Sequence, residues 1–110
     1  TVSAPEAFVV RMNESLASTL VTNLLKNAYL HTAEGGAVGV ELRDRTLTVT
    51  NDGTAPLDAE HIFERFYQGA RKEGSTGLGL ALVSAVGRYY GLRIYYRVEG
   101  GRHRFSVRWP

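Results

Sequence analysis

The sequence contains no cysteine among its 110 residues, which excludes disulfide bonds, thiolate metal sites and cysteine nucleophiles together. It also lacks any apolar run long enough to span a bilayer, and the segment after Thr1 does not resemble a signal peptide. A strong charge of one sign is missing as well. Thirteen basic and 11 acidic residues leave a formal charge of +2, which gives little support to a nucleic-acid-binding function.

The remaining composition is that of one globular domain. Hydrophobic residues make up 44% of the chain and charged residues 22%, unlike the composition of disordered proteins. A length of 110 residues suits one two-layer core and is too short for a second domain. Because the chain begins at Thr1 without methionine, we expect it to be part of a longer protein.

Hydrophobic periodicity predicts two long helices and two hairpins. Asn13 is a suitable N-cap for a helix that ends near Thr32, before Gly35 and Gly36. A second helix is predicted from about Leu78 to Tyr90, with one side formed by Leu78, Leu82, Val86 and Tyr89. The other predicted elements are a strand at 8–10, a hairpin at 38–50, a short helix after Pro56, a mobile loop at 69–75 and a hairpin at 94–109.

These elements favour a largely antiparallel sheet with helices on one face. The sequence therefore predicts an α+β fold, a two-layer sandwich.

Two amides interrupt the apolar stripe of the first helix. Asn23 and Asn27 lie one helical turn apart, at the edge of the face expected to contact the sheet. One interpretation is that they are ordinary hydrogen-bonded polar residues near a helix end. The alternative is ligand contact, because an amide oxygen suits Mg²⁺, which takes many of its ligands from water and substrate phosphates.

A glycine-rich segment, Gly74-Ser75-Thr76-Gly77-Leu78-Gly79, precedes the second helix. It has neither the lysine of a P-loop nor the third glycine of a dinucleotide fingerprint. Glycines let a backbone approach phosphate oxygens, and the following helix presents its positive end. The alternative is a flexible loop with Ser75 or Thr76 as the N-cap.

A third segment, Asn51-Asp52-Gly53, ends a predicted strand between these two motifs. The order of the three segments, with gaps of roughly 25 residues, is more informative than any one of them.

Taken in order, NLLKNAYLHT, VTNDG, IFERFYQG and GSTGLGLAL resemble the N, G1, F and G2 boxes of sensor histidine kinases. The resemblance extends from about Phe8 to Trp109. It implies that residues 1–110 form a single catalytic ATP-binding domain with the Bergerat (GHKL) fold, a mixed, mainly antiparallel sheet backed by about three helices. The dimerisation, phosphoacceptor and sensor domains would lie outside this chain.

The resemblance also implies site residues, with ATP and Mg²⁺ as cofactors. Asn27 matches the Mg²⁺ ligand, Asn23 matches the polar residue near the phosphates, and these two form the catalytic pair. Asn51 matches the residue that contacts adenine, with Asp52 as an alternative. The other implied nucleotide-binding positions are Gly53, His31, Gly74, Thr76, Gly77, Leu78, Gly79 and Leu80.

Two departures from the family pattern concern the phosphates. Leu30 and Gln68 stand where many members have lysine and arginine. Arg71 and Lys72 are the nearest basic substitutes, unless they are solvated loop charges.

Asn23 also bears on the reaction type. Related hydrolases carry a glutamate at this position as general base, and an amide cannot accept a proton at neutral pH. The resemblance therefore favours an ATP-dependent histidine kinase. The alternatives are a nucleotide-binding module without phosphotransfer, a GHKL ATPase, and an interaction domain without nucleotide.

The acceptor histidine is expected on a separate domain, because His31, His61 and His103 all lack the helical context of a family phosphoacceptor. The implied partners are ATP or ADP, that phosphoacceptor domain and a response regulator, with no nucleic acid. The resemblance implies that this domain is the cytoplasmic part of a membrane-anchored kinase and is not itself inserted in the membrane.

Overall fold

The computed structural model of the protein describes residues 2–3, 10–32, 36–53 and 79–110. The predicted short helix after Pro56 and the predicted loop at 69–75 lie outside this part of the chain. The elements are β1 (Val2–Ser3), α1 (Glu14–His31), β2 (Val38–Arg43), β3 (Thr46–Asp52), α2 (Gly79–Tyr90), β4 (Arg93–Glu99) and β5 (Arg102–Arg108).

The strands form a five-stranded sheet in the order β1-β2-β3-β5-β4. β1 pairs in parallel with β2, and all other neighbours are antiparallel. Two-residue turns close both hairpins, at Asp44-Arg45 (φ 52° and 56°) and at Gly100-Gly101 (φ 60° and 75°). The sheet is therefore mixed and mainly antiparallel, as the sequence predicts.

Helix α1 begins where its N-cap is predicted. The Asn13 side-chain oxygen accepts a hydrogen bond from the Leu16 backbone N–H at 3.1 Å, which satisfies one of the free amides of the first turn. Leu20, Leu24 and Ala28 follow at four-residue spacing and are buried. This spacing places all three on the face that contacts β3 and α2.

The core lies between the two helices and one face of the sheet. Leu47 and Val49 on β3, and Phe105 and Val107 on β5, are buried against the helices. Their neighbours in sequence point to the opposite face, because side chains alternate along a strand. Burial of each such large apolar side chain contributes about 1.5–3 kcal/mol, so this layer holds the site residues in place.

Of the described residues on the predicted side of α2, only Val86 is buried. The buried residues of this helix are Val83, Val86 and Gly87, whereas Leu82 is 47% exposed and Tyr89 76% exposed. The reason is close packing at Gly87. A Cβ atom there would lie 2.5 Å from the Ile94 Cδ1 atom, so the absence of a side chain turns this side of the helix towards β4.

The predicted strand at 8–10 lies mostly outside the described residues. Val10 has no regular structure, Phe8 and Val9 lie outside the described residues, and the strand in this region is Val2–Ser3. Neither of the described helices combines the length and apolar character that a membrane crossing requires.

Candidate nucleotide site

Asn23 of α1 contacts the first residue of α2. A Cβ atom on Gly79 would lie 3.0 Å from the Asn23 Oδ1 atom, which is closer than most side-chain contacts. The Asn23 Nδ2 group donates to the Thr19 carbonyl oxygen at 2.8 Å, which fixes the orientation of the amide. The structure therefore brings the predicted N box of α1 against the start of α2.

Gly79 and Leu80 form the first turn of α2. Backbone N–H groups in the first turn of a helix have no partner within that helix and lie at its positive end. The Leu80 side chain packs against the hydrophobic core, so its backbone is the part that a ligand could contact. This helix terminus can receive an anion such as phosphate.

Asn27 lies one helical turn after Asn23, next to the buried Ala28, and is half-buried. Unlike Asn23, its side chain has no hydrogen-bond partner within the described ranges. The Asn27 amide oxygen can therefore bind a ligand.

Asn51 lies one residue before the end of β3, on the face covered by the helices. It continues the inward-facing series of Leu47 and Val49, and only 1% of it is exposed. Its Nδ2 atom lies 3.5 Å from the Asp52 carbonyl oxygen, which is at the outer limit for a hydrogen bond. Among the described residues the Asn51 amide has no other hydrogen bond, burial of an amide without such bonds is costly, and a ligand that pairs with it would remove that cost.

Asp52 points to the other face of the sheet. Its Oδ2 atom accepts a hydrogen bond from the Ala37 N–H at 2.7 Å, and its Oδ1 atom lies 3.0 Å from the Arg102 Nε atom. The next residue, Gly53, donates its N–H to the Gly101 carbonyl oxygen at 3.0 Å. These contacts join the end of β3 to both neighbouring strands.

A polar pair, formed by the buried His103 and the partly buried Tyr96, lies beside Asn51. His103 of β5 is directly opposite Asn51 in the strand register and is 3% exposed. The Tyr96 hydroxyl lies 2.8 Å from the His103 Nδ1 atom, and burial lowers the pKa of His103 below its usual 6.5. The sequence indicates His103 only as a hairpin residue. The sequence signal that could have indicated its burial is its place two residues before Phe105 and four before Val107, on the inward-facing side of β5.

The remaining predicted site residues are only partly described. His31 ends α1, and its side chain lies outside the described part of the structure. The other predicted positions outside it are Arg71, Lys72, Gly74, Thr76, Gly77 and Leu78.

The amide of Asn27 on α1 is suited to bind a magnesium ion that is carried by a nucleotide. The described residues contain no group of three or more histidine, cysteine, aspartate or glutamate side chains that could hold a metal. A single amide such as Asn27 cannot form a complete site. It suits Mg²⁺, which keeps several waters and takes other ligands from phosphates.

Residues 12–110 match the family described as histidine kinase-, DNA gyrase B- and HSP90-like ATPases, and the chain belongs to this family. This membership confirms the resemblance found in the sequence.

The similar proteins are sensor kinases. The chain is 43% identical over 84 residues to the sensor histidine kinase RppB of Synechocystis, a match that covers 67% of this chain and 18% of RppB. The structure of the mycobacterial sensor histidine kinase MprB is 30% identical and superposes with a TM-score of 0.78, covering 96% of this chain and 78% of that one. The structure of full-length ShkA in complex with AMPPNP is 26% identical, with a TM-score of 0.71, and covers 96% of this chain and 23% of ShkA. The chain thus spans about a fifth of RppB and of full-length ShkA.

Proposed function

We propose that this chain binds Mg²⁺-ATP and transfers the γ-phosphoryl group to a histidine on a separate dimerisation and phosphoacceptor domain of the same sensor kinase. The observation that carries this proposal is the contact between Asn23 and Gly79, which joins the amide face of α1 to the anion-binding end of α2. A response regulator would receive the phosphoryl group in the next step.

Each described site residue has a role in this proposal. Asn27 would hold the Mg²⁺ ion through its amide oxygen, and the first-turn N–H groups of α2 would bind phosphate oxygens. The ion, when bound, neutralises charge on the phosphates during transfer. Asn51 would pair with the adenine base, since its inward orientation and near-complete burial favour it over Asp52, whose carboxylate is held by Ala37 and Arg102.

The chemistry of Asn23 favours transfer over hydrolysis. A general base must accept a proton, and a neutral amide is a poor acceptor of one. The bond from Asn23 to Thr19 and its contact with Gly79 give it a positioning role. The nucleophile must then be activated elsewhere, as expected if the acceptor histidine is on another domain.

The burial of His103 supports an acceptor outside the described residues. Its side chain is 3% exposed, and its Nδ1 atom is engaged with Tyr96, so an incoming phosphoryl group could not reach it without local unfolding. The names of RppB and MprB as sensor histidine kinases, and the ATP analogue in the ShkA structure, support the same assignment.

Nucleotide binding is tested by calorimetry with AMPPNP, with and without Mg²⁺. We expect Asn27→Ala to weaken the Mg²⁺-dependent affinity by about tenfold or more, equivalent to roughly 1.4 kcal/mol. Thr22→Ala is the matched control, because Thr22 is exposed on the same helix. Equal affinities of wild type and Asn27→Ala, each with the same Mg²⁺ dependence, would contradict the assigned role.

Phosphotransfer is tested on the full-length protein with radiolabelled ATP. We expect an acid-labile label on a histidine outside this domain, lost in Asn27→Ala and retained in Thr22→Ala. Tight Mg²⁺-AMPPNP binding without any labelled histidine would favour the nucleotide-binding module. Steady phosphate release without label would favour the ATPase.

A further inference from the structure

Strand β4 forms one edge of the sheet. Within the described residues it pairs only with β5, and this pairing runs from Arg93 to Glu99 without a bulge. The strand contains no proline. Bulges and prolines are two of the features that prevent a sheet edge from pairing with another strand. Because β4 has neither, its outer edge can pair with one more strand.

The backbone groups at this edge can be assigned from the strand register. The Gly101 carbonyl oxygen accepts from the Gly53 N–H at 3.0 Å, so the backbone at Gly101 is directed towards β3. Backbone directions alternate along a strand, and the even-numbered residues of β5 therefore face β4 and bond to its odd-numbered residues. The N–H and C=O groups that point away from the sheet belong to the even-numbered residues Ile94, Tyr96 and Val98.

The two faces of β4 differ in character. Ile94 and Tyr96 pack against the core on the helix side, and Val98 on the same side is 37% exposed. Positions 93, 95, 97 and 99 lie on the other face and are occupied by arginine, tyrosine, arginine and glutamate. A strand added at this edge would therefore meet an apolar row on one face and a charged row on the other.

A second copy of β4 fits this edge in one register. Antiparallel pairing joins outward-pointing residues to each other, and the registers that overlap most of β4 then have twofold axes at Tyr95, Tyr96 or Arg97. An axis at Tyr95 would place Arg93 opposite Arg97 of the second copy, and an axis at Arg97 would place that residue opposite itself. Like charges at such positions are destabilising. The axis at Tyr96 opposes no like charges and overlaps the whole strand.

The register centred on Tyr96 also forms favourable pairs. It places Arg93 opposite Glu99 of the second copy at both ends of the interface, and Tyr95 opposite Arg97 of the second copy. Pairs of opposite charge and contacts between arginine and an aromatic ring are both stabilising. Arg93 and Glu99 lie about 20 Å apart along one strand, so only a second copy can bring them together.

Glu99 also has basic neighbours in its own chain. It lies opposite Arg102 in the register of β4 and β5, and Arg97 precedes it on the same face. The Arg102 Nε atom is itself 3.0 Å from the Asp52 Oδ1 atom. A carboxylate has about four acceptor sites on its two oxygens, so these neighbours are compatible with a further bond from Arg93 of the second copy.

We propose that this protein self-associates through β4, with two copies forming one continuous sheet about a twofold axis at Tyr96. Ile94 and Val98 of each copy exchange backbone hydrogen bonds with Val98 and Ile94 of the other. The interface between two short strands is small, so the association is weak and depends on concentration. This proposal does not depend on nucleotide binding or on phosphotransfer.

The charge pairs are tested by sedimentation velocity of this chain between about 10 and 500 µM, a range suited to a small interface. We expect Arg93→Glu and Glu99→Arg each to weaken self-association by about fivefold or more, because each makes both symmetric pairs repulsive. A mixture of the two variants again has opposite charges at both pairs. We expect its heterodimer to form with an affinity within about twofold of the wild type.

The matched control is Arg104→Glu, which makes the same change of charge on β5, away from the edge. It is expected to change self-association by less than about twofold, and its mixture with Glu99→Arg is not expected to restore association. Restoration by Arg93→Glu requires both mixed variants to be folded, so it also excludes misfolding as the cause of the single losses.

The backbone pairing is tested at Val98. Val98→Pro removes an N–H that points away from β5 and leaves the hydrogen bonds between β4 and β5 in place, so we expect folded monomers at all concentrations. Val98→Thr keeps the N–H and the β-branched shape and is expected to retain association. Thermal unfolding checks that each variant is folded.

Three outcomes would overturn the proposal. The first is a wild-type chain that remains monomeric over the whole concentration range. The second is an equal loss of association in Arg93→Glu and Arg104→Glu, which would locate the interface elsewhere. The third is a mixture of folded Arg93→Glu and Glu99→Arg chains that fails to form the heterodimer.

Discussion

At the level of single residues, Asn23 and Gly79 set how closely α1 approaches the start of α2. Gly79→Ala has two opposing effects on stability. Alanine is favoured over glycine within a helix by about 1 kcal/mol, but its Cβ atom would lie 3.0 Å from the Asn23 Oδ1 atom. We expect no net gain in the free energy of unfolding in the wild-type background.

A double-mutant cycle measures this contact. In an Asn23→Ala background the obstructing oxygen is gone, and we expect Gly79→Ala to stabilise the protein by roughly 0.5–1 kcal/mol. Urea unfolding of the wild type, both single variants and the double variant gives the coupling energy. Effects that add to within about 0.3 kcal/mol would show that the two residues do not constrain one another.

His103 makes stability dependent on pH. Burial lowers its pKa below 6.5 in the folded protein, so the unfolded chain binds the proton at higher pH than the folded one. Its contribution is fully present above the usual histidine pKa and is lost as the pH falls towards the lowered value. We expect the wild type to be less stable at about pH 5.5 than at about pH 7.5.

The control for this effect is His103→Gln. It removes the titrating group and leaves His31 and His61 in place, so it is expected to flatten the pH dependence of the unfolding free energy. An unchanged slope in the variant would assign the effect to other groups. Chemical denaturation at a series of pH values provides the measurement.

At the level of elements, the two hairpin turns have similar backbones and different sequences. Asp44 and Arg45 adopt positive φ values of 52° and 56°, as Gly100 and Gly101 do at 60° and 75°. This conformation costs a non-glycine residue roughly 1–2 kcal/mol, with less for aspartate. The β2–β3 turn is therefore the more strained of the two.

Exchange of the turn residues tests this difference. We expect Asp44→Asn/Arg45→Gly to stabilise the protein by about 1 kcal/mol. The gain is reduced by loss of the exposed hydrogen bond from the Arg45 Nε atom to the Pro110 carbonyl oxygen at 2.8 Å. Gly100→Asp/Gly101→Arg is expected to destabilise it by a similar amount. The melting temperatures of the two variants should therefore move in opposite directions, and a common direction would refute the explanation.

The elements also show what the sequence can predict. Asn13, the leucine spacing of α1 and the alternation in β2, β3 and β5 are local signals, and the structure confirms the elements that they predict. The predicted side of α2 is buried at Val86 but not at Leu82 or Tyr89. Gly87 orients the helix by packing against Ile94, and a glycine carries no hydrophobic signal in the sequence. The Tyr96–His103 pair is a diagonal contact across β4 and β5, and periodicity assigns each residue to a face without showing which side chains meet.

The site was predictable to the extent that it depends on spacing along one element. Asn23 and Asn27 share a helix, so their common face follows from the helical repeat. The choice between Asn51 and Asp52 depends on which side of β3 faces the helices. The alternation of Leu47 and Val49 in the sequence indicates that side, and the burial of both residues and of Asn51 confirms it.

At the level of the whole molecule, contacts near the chain's last residues connect separate elements. The Trp109 Nε1 group donates to the Met12 Sδ atom at 3.3 Å, and the Trp109 N–H donates to the Arg45 carbonyl oxygen at 2.9 Å. The Asn13 N–H donates to the Tyr90 hydroxyl at 2.8 Å. These contacts link α1, α2, β5 and the β2–β3 turn, so we expect all of them to unfold together.

Trp109 is the only tryptophan, so its fluorescence reports on this junction, whereas far-UV circular dichroism reports on the helices and sheet. In a single cooperative domain the two signals have the same urea midpoint. Mg²⁺-AMPPNP should raise both midpoints together, because a hundredfold excess over its dissociation constant adds about 2.7 kcal/mol to the free energy of unfolding. The rise should be much smaller in Asn27→Ala. If the fluorescence changed at lower urea than the dichroism, the junction would open separately from the rest, and the chain would not be one cooperative unit.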